Sequence, residues 1–231
     1  MRPLADFAPA GRIWVAYSGG LDSTALLHAA GAVREHLPGA LWAVHIDHGL
    51  SPESRRWGEH CRAVSAGLGV AFHCRRVELK PVPGESLEAV ARAARYGELA
   101  ALLGPGDLLL TAHHQDDQAE TLLLALLRGS GVHGLAAMPF AVDLGLGHLV
   151  RPLLGVSRAD LGRYAHTRGL TWVDDPSNRE SAMDRNYLRN RVMPLLRERW
   201  PAVSATLSRS AGHCAAAADL VDLAAARELA G

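Results

Sequence analysis

The sequence predicts an α/β protein: a doubly wound, mainly parallel sheet with helices on both faces, followed by a helical C-terminal extension. Two observations predict it. In the first half, short apolar runs alternate with amphipathic stretches, as in βαβ units around a sheet buried on both sides. Polar clusters also follow three of the predicted strands directly: Ser18 to Asp22, Asp47 to His48, and His113 to Asp117. In open α/β sheets the C-terminal edge of the strands is where ligands bind, so these clusters are expected to share one edge.

The elements follow in order. Ile13 to Tyr17 reads as a buried strand and Ser23 to His36 as a helix. Leu41 to Asp47 is the next strand and Glu53 to Ala66 the next helix. A third strand is expected over Val70 to Leu79, then an alanine- and leucine-rich helix over Glu85 to Leu103. Asp107 to His113 reads as a fourth strand and Asp116 to Leu127 as a helix. Gly129 to Gly147 is glycine-rich and aperiodic, which predicts a loop. Leu149 to Leu154 predicts a last strand, and Ser157 to Arg168 a helix capped by Ser157. Asp174 to Ser181 is polar and reads as loop. Ala182 to Arg199 is helical with Pro194 inside it, which predicts a break near Met193. Ser204 to Leu229 closes the chain as an alanine-rich helix.

Composition narrows the class. No apolar run reaches the roughly 20 residues that span a bilayer. The first ten residues lack the basic start and apolar stretch of a signal peptide, so a soluble, cytoplasmic protein is expected. Cys61, Cys74 and Cys214 form no CxxC pair, which argues against a zinc knuckle, an iron–sulfur site or a redox dithiol. Net charge is zero, so no global basic field announces nucleic acid. The positive charge is arginine except for Lys80, and arginine suits phosphate and carboxylate.

The first cluster, Ser18-Gly19-Gly20-Leu21-Asp22-Ser23-Thr24, joins a strand to a helix. Its glycines let the backbone approach an anion, and the helix start offers N–H groups and a positive dipole end. The hydroxyls of Ser18, Ser23 and Thr24 can donate to phosphate. Asp22 would repel phosphate unless a cation lies between them, which implies Mg²⁺. The loop lacks the Walker A lysine, which favours AMP and pyrophosphate chemistry over transfer of a terminal phosphoryl group. An ATP site is therefore expected, with Asp47 near the ribose or base and His48-Gly49 shaping the adenine pocket.

Three further groups carry chemistry. His113-His114-Gln115-Asp116-Asp117-Gln118-Ala119-Glu120-Thr121 opens a helix directly after a strand, and Asp117 and Glu120 share a helix face. They suit Mg²⁺ or an incoming amine, although acidic residues also favour a helix N-terminus in their own right. Arg92 and Arg95 share a face of the preceding helix and can stabilise charge on a transferring group, or be solvated. Arg185-Asn186-Tyr187-Leu188-Arg189-Asn190-Arg191, after Asp174-Asp175-Pro176-Ser177-Asn178, has the composition of a surface for RNA phosphates and splayed bases.

Together these residues resemble the tRNA(Ile)-lysidine synthases, within the PP-loop ATP pyrophosphatases (adenine nucleotide alpha hydrolase-like). The match adds Glu85-Ser86-Leu87-Glu88, Arg128-Gly129-Ser130-Gly131, Gly134-Leu135 and Arg151-Pro152-Leu153-Leu154, so it covers most of the chain. The Ser18 loop marks only the superfamily; the blocks His113 to Leu135 and Asp174 to Arg191 narrow it. The resemblance implies that ATP adenylates the O2 carbonyl of the wobble cytidine in a CAU-anticodon tRNA(Ile), releasing pyrophosphate. The amine of free L-lysine then attacks C2 and displaces AMP, forming lysidine. On that footing Ser18 to Thr24, Asp47 and His48 bind ATP, Asp22 and Asp117 hold Mg²⁺, and Arg92 or Arg95 offsets charge. His114 or Glu120 takes the proton of the amine. The resemblance also implies a catalytic domain over residues 1–200 and a truncated helical connector over residues 201–231, without the family's C-terminal tRNA-binding domains.

Other readings are a PP-loop nucleotide-binding module without full turnover, a tRNA thiolase of the same superfamily, and a small-molecule amide synthetase. The thiolase needs paired cysteines that the sequence lacks. The sequence leaves the oligomeric state open, a homodimer included.

Overall fold

The computed structural model describes residues 4–7, 11–49, 53–79, 83–84, 87–174 and 183–229, with the backbone alone at 5, 87 and 88. The chain divides into two compact units. One comprises Met1–Ala112, Ala141–Pro152 and Leu161–Asp174; the other comprises His113–Phe140, Leu153–Asp160 and Asp175–Gly231.

The first unit carries the sheet. Its strands are β1 (Arg12–Ala16), β2 (Ala40–Asp47), β3 (Ala71–Arg76), β4 (Leu108–Leu110), β5 (Ala141–Leu144) and β6 (Gly147–Val150). Their order is β3-β2-β1-β4-β6-β5. Every pairing is parallel except β5 with β6. The predicted doubly wound, mainly parallel sheet is therefore present.

Strand alternation explains why the sheet is buried on both sides. Trp14, Val44, Leu109 and Leu149 form one core with Leu99 of α3 (Leu87–Leu102) and with Leu103 just beyond it. Ile13, Val15, Leu108, Leu110 and Val150 are buried too, on the alternate positions. Helix α1 (Leu21–Ala32) contacts β1 and β2, and α2 (Ser54–Gly67) contacts β2 and β3. Buried Asp107 ties the sheet's near end together. It accepts from the Arg12 N–H at 2.6 Å, the Trp14 Nε1–H at 3.2 Å and the Gly104 N–H at 3.0 Å.

The region expected to be loop, Gly129 to Gly147, is more structured than predicted. It contains the short helix α5 (Val132–Leu135), strand β5 and the first residue of β6. Glycine content was misleading here because two glycines serve a hairpin. Gly145 takes φ +58° in the two-residue connection, a conformation that side chains resist. A Cβ on Gly147 would run into the Asp107 carbonyl. The expected strand over Leu149 to Leu154 starts earlier and ends at Val150, two residues before Pro152, which cannot donate to a ladder. Helix α1 is shorter than predicted, and Arg34–His36 forms a separate 3₁₀ turn.

The second unit is helical: α4 (Gln115–Leu127), α5, α7 (Asp184–Tyr187), a π-helical turn at Leu188–Val192, α8 (Met193–Arg199) and α9 (Val203–Leu229). Helix α6 (Arg158–Thr167) opens in this unit, where Ser157 caps it by accepting the Asp160 N–H at 3.1 Å. The predicted break near Met193 is present: Pro194 sits in the first turn of α8, directly after the π turn. A proline offers no N–H to the preceding turn, so a ladder that slips just before it loses least. Helix α9 packs on α4 and α5. Residues 175–182, which include most of the Asp174-to-Asn178 motif, lie outside the described residues, as do Glu85 and Ser86. Among the described residues, no helix is long and apolar enough to cross a membrane.

Candidate active site

The first unit builds an anion cradle from the Ser18 loop. Gly19 sits at φ +86°, and a Cβ there would lie 3.0 Å from the Cys61 sulfur. Gly20 is the N-cap of α1, in extended conformation and without a side-chain cap. The helix thus begins on bare backbone, with Asp22 in its first turn. The hydroxyls expected to face phosphate divide. Ser23 and Thr24 are buried and donate to the Gly20 carbonyl at 3.1 and 2.9 Å, so they shape the loop. Ser18 is exposed; its oxygen lies 3.1 Å from Ser23 Oγ and accepts the Gly20 N–H at 3.4 Å. From beneath, the Tyr17 hydroxyl lies 3.3 Å from Thr24 Oγ1, and burial pushes that phenol up to about 12. The Val173 N–H donates to the Gly19 carbonyl at 2.9 Å and fixes the loop from its other side.

The same edge of the sheet carries Asp47 and His48 after β2. Asp47 Oδ1 accepts the Gly49 N–H at 2.8 Å, which turns the chain there. Burial, and then Arg95, hold the His48 imidazole below its ordinary range, favouring a neutral ring. Its Nδ1 is buried without a hydrogen-bond partner among the described residues. An unsatisfied ring nitrogen on the sheet edge that also carries the glycine cradle fits a nucleotide with polar groups of its own. Arg92 and Arg95 both lie against the Tyr96 ring, at 5.0 and 5.9 Å from its centroid. The cofactor-binding candidates Ser18 to Thr24, Asp47 and His48, with Arg92 and Arg95, thus all belong to the first unit.

His114, Asp117 and Glu120 belong to the second unit. His114 is the N-cap of α4: its Nδ1 accepts the Asp117 N–H at 3.3 Å, while Asp117 Oδ2 accepts the His114 N–H at 2.9 Å. The two residues form a reciprocal capping box, a role usually filled by Ser with Glu. Glu120 is 1% exposed and His114 2%. Both carboxylates are held by arginines. Arg189 binds Glu120 through two nitrogens, at 2.8 and 2.7 Å, and Asp117 Oδ1 at 2.8 Å. Arg185 reaches Glu120 Oε2 at 3.1 Å and Asp117 Oδ1 at 3.4 Å. Burial would raise the Asp117 carboxyl, but His114, Arg185 and Arg189 together hold it below the usual carboxylate range.

This pairing revises the reading of Arg185 to Arg191 as an RNA-facing surface. Arg185 and Arg189 turn inward to the acids, and Asn186 and Leu188 are buried. Tyr187, at 53% exposure, and Arg191 face outward. The signal was present in the sequence: arginines four apart match acids three apart on another helix. Asp116, in the same acidic cluster, anchors the unit instead. It accepts from Arg197, from Ser204 Oγ at 2.7 Å and from the Arg158 N–H at 2.8 Å. Burial works against its ionisation, but these contacts hold its carboxyl low.

Among the described residues, no group of three or more His, Cys, Asp or Glu side chains is arranged to hold a metal. Mg²⁺ needs less, since it keeps waters and phosphate oxygens and takes one or two carboxylates. Asp22, in the first turn of α1, fits that requirement. Asp117 already shares its oxygens with two arginines and the α4 cap.

Comparison with known proteins agrees with this architecture. A family model described as a PP-loop domain matches residues 2–196. The tRNA(Ile)-lysidine synthase of Methylococcus capsulatus is 53% identical over 94% of this chain and 50% of its own length. That of Pseudomonas syringae pv. tomato is 53% identical over 100% of this chain and 52% of its own. The Coxiella burnetii enzyme is 51% identical over 93% and 48%. The chain therefore spans about half the length of the curated relatives it matches. A solved structure of the U34-tRNA thiolase NcsA from Methanococcus maripaludis, with its [4Fe-4S] cluster, superposes with a TM-score of 0.73. That match covers 90% of this chain and 72% of the thiolase at 13% identity, a likeness of fold.

Proposed function

The chain belongs to the PP-loop domain family, and from that premise we propose that it is the catalytic part of a tRNA(Ile)-lysidine synthase. The observation that carries the proposal is the similarity to those synthases along essentially the whole chain. ATP adenylates O2 of the wobble cytidine in a CAU anticodon and pyrophosphate leaves. The amine of free L-lysine then attacks C2, the amine gives up a proton, and AMP leaves with the O2 oxygen. The enzyme acts in the cytoplasm, where tRNA is modified.

Each group has an assignment. The backbone of Ser18 to Leu21 takes the pyrophosphate end of ATP at the uncapped start of α1. Asp47 and the neutral, buried face of His48 take the ribose and base. Mg²⁺, when bound, would neutralise phosphate charge, and Asp22 in the first turn of α1 is the residue that would hold it. Arg92 and Arg95 offset charge that builds during adenylation. Asp117 and Glu120 already bind two cations, so a lysine ammonium can replace an arginine contact without stranding buried negative charge. Glu120 then takes the proton. His114 spends Nδ1 on the helix cap and holds Asp117 in place.

The thiolase fold neighbour raises sulfur transfer as a rival, and the thiols do not support it. Cys61 is buried, and burial pushes it up to about 12, far from a nucleophilic thiolate. Cys74, on β3 of the same unit, is also pushed up, first by burial.

The test is a pyrophosphate-release assay with lysine and CAU-anticodon tRNA supplied together, singly and not at all. Release is expected only with the RNA present, with radiolabelled lysine incorporated into it. Release without RNA would indicate a small-molecule synthetase. Mg²⁺-ATP binding with no release at saturating RNA would leave a nucleotide-binding module.

A further inference from the structure

A cavity of about 580 Å³ opens in the first unit between the start of α2 and the end of β3, and the proposed function leaves it without a ligand. Its charged lining is Arg55, Arg62 and Arg76 with Asp47 and Glu59. Among the described residues, neither the Ser18 loop nor His48 lines it, so it adjoins the ATP edge only at Asp47 and Gly49. Strand register gathers the charges there. Asp47 stands opposite Arg76 in the β2–β3 ladder, which the Val77 N–H continues to the Asp47 carbonyl at 2.8 Å. Alternation puts Phe72 and Arg76 on one face of β3. Arg62 reaches Phe72 from α2, so that is the face α2 covers.

The two arginines at the β3 side are held differently. The Arg62 guanidinium lies over the Phe72 ring, 5.2 Å from its centroid. A guanidinium stacked through its flat face keeps the N–H groups at its edge for acceptors. Arg76 lies against the turn after β2: a Cβ on Gly49 would be 3.7 Å from its Nη2. Arg55 and Glu59 pair with each other at 3.3 Å along α2, so recognition of an anion falls to Arg62 and Arg76. Phosphate accepts two parallel N–H bonds from such a fork. Asp47 and Glu59 would repel a bare phosphate, but carboxylates accept from the exocyclic amine of a base. A nucleotide satisfies both signs of the lining, and cavities of roughly 300–1,000 Å³ hold ligands of that class. Single-stranded RNA presents such nucleotides, with bases splayed for stacking on guanidinium planes.

We propose that this cavity binds one unpaired nucleotide of the RNA, outside the cytidine that is modified. Arg62 and Arg76 take its phosphodiester, and the carboxylates of the cavity accept from an amine of its base. The inference rests on the proposed function for RNA as the substrate. It gives the first unit a grip on the RNA separate from the Ser18 loop.

Arg62→Gln, Arg76→Gln and the double variant test it by fluorescence anisotropy with a CAU anticodon stem-loop across a salt series. The controls are a blunt-ended RNA duplex of equal length, and calorimetry with Mg²⁺ and a non-hydrolysable ATP analogue. Each single variant is expected to weaken stem-loop binding at least ~3-fold and the double variant at least ~10-fold, with the salt slope falling by about one. Affinity for the duplex and for the analogue is expected to stay within ~2-fold of wild type. Wild-type stem-loop affinity in the double variant overturns the cavity site and leaves the proposed function standing. Equal losses on stem-loop and duplex also overturn it, since the contact is then with any phosphate backbone. A loss on the analogue arm alone assigns the cavity to ATP and overturns it as an RNA site. If Arg62→Gln fails to fold by its melting curve, wild-type affinity in Arg76→Gln overturns the proposal instead. A wild-type chain that binds the analogue but no stem-loop overturns this site and the RNA reading together.

Discussion

Asp117 shows how one residue's surroundings set its charge. It caps α4 with His114 and faces Arg185 and Arg189, so its carboxyl titrates below the usual carboxylate range. A carboxyl lowered in the folded state stabilises the fold above its unfolded pKa of about 4 and loses that contribution as pH falls through the folded value. Asp116, also lowered, acts in the same direction. Stability measured by urea titration is therefore expected to fall below about pH 4. An Asp117→Asn variant is expected to be less stable at pH 7 by about 1–3 kcal/mol and to show a shallower acid decline. An unchanged acid decline would remove the ion-pair explanation. At Gly19 backbone geometry decides. With φ +86° and Cys61 sulfur 3.0 Å from any added Cβ, Gly19→Ala is expected to cost about 1–2 kcal/mol. It is also expected to weaken Mg²⁺-ATP binding at least ~10-fold by calorimetry. Wild-type affinity in that variant would show that the loop conformation does not matter to the nucleotide.

Elements were legible in the sequence where a single period dominates. The strands β1 and β2 and the helices α2, α3 and α4 match their predicted places to within a few residues, because apolar periodicity reports directly on which face is buried. The β5–β6 hairpin was hidden by its glycines, which composition alone reads as loop. Their real constraint is long-range: Gly147 admits the Asp107 carbonyl, where no side chain would fit. Gly147→Ala is expected to destabilise the chain by roughly 2–3 kcal/mol in thermal or urea unfolding. A change below ~0.5 kcal/mol would mean that β6 can shift away from β4 at little cost. The π turn at Leu188–Val192 was legible as a break because Pro194 announces it. Its register was not, and register determines that Arg185 and Arg189 reach the acids while Tyr187 and Arg191 face out.

On the scale of the molecule, the two units carry different halves of the proposed chemistry: the anion cradle in one, and the acid pair with its arginines in the other. The proposed reaction requires both, so pyrophosphate release is expected to fall sharply in variants of either. Asp22→Ala, in the first unit, is expected to abolish release. Glu120→Gln, in the second, is expected to permit Mg²⁺-ATP binding while lowering lysine incorporation at least ~10-fold, with the loss expressed in the lysine KM. Lysine incorporation unaffected by Glu120→Gln would detach the acid pair from the amine.

The sequence by itself determined the βαβ order, the phosphate-cradling loop between β1 and α1, and the family resemblance, because each depends on neighbours along the chain. Only the tertiary structure decided that Arg185 and Arg189 neutralise Asp117 and Glu120, that Asp116 anchors Arg197 and Ser204, and that Gly147 makes room for β4. These contacts join residues roughly 40 to 90 positions apart. A local pattern specifies which residues are charged or small. Which of them meet depends on how the chain pays the cost of burying charge and backbone, and that is settled only when distant segments pack.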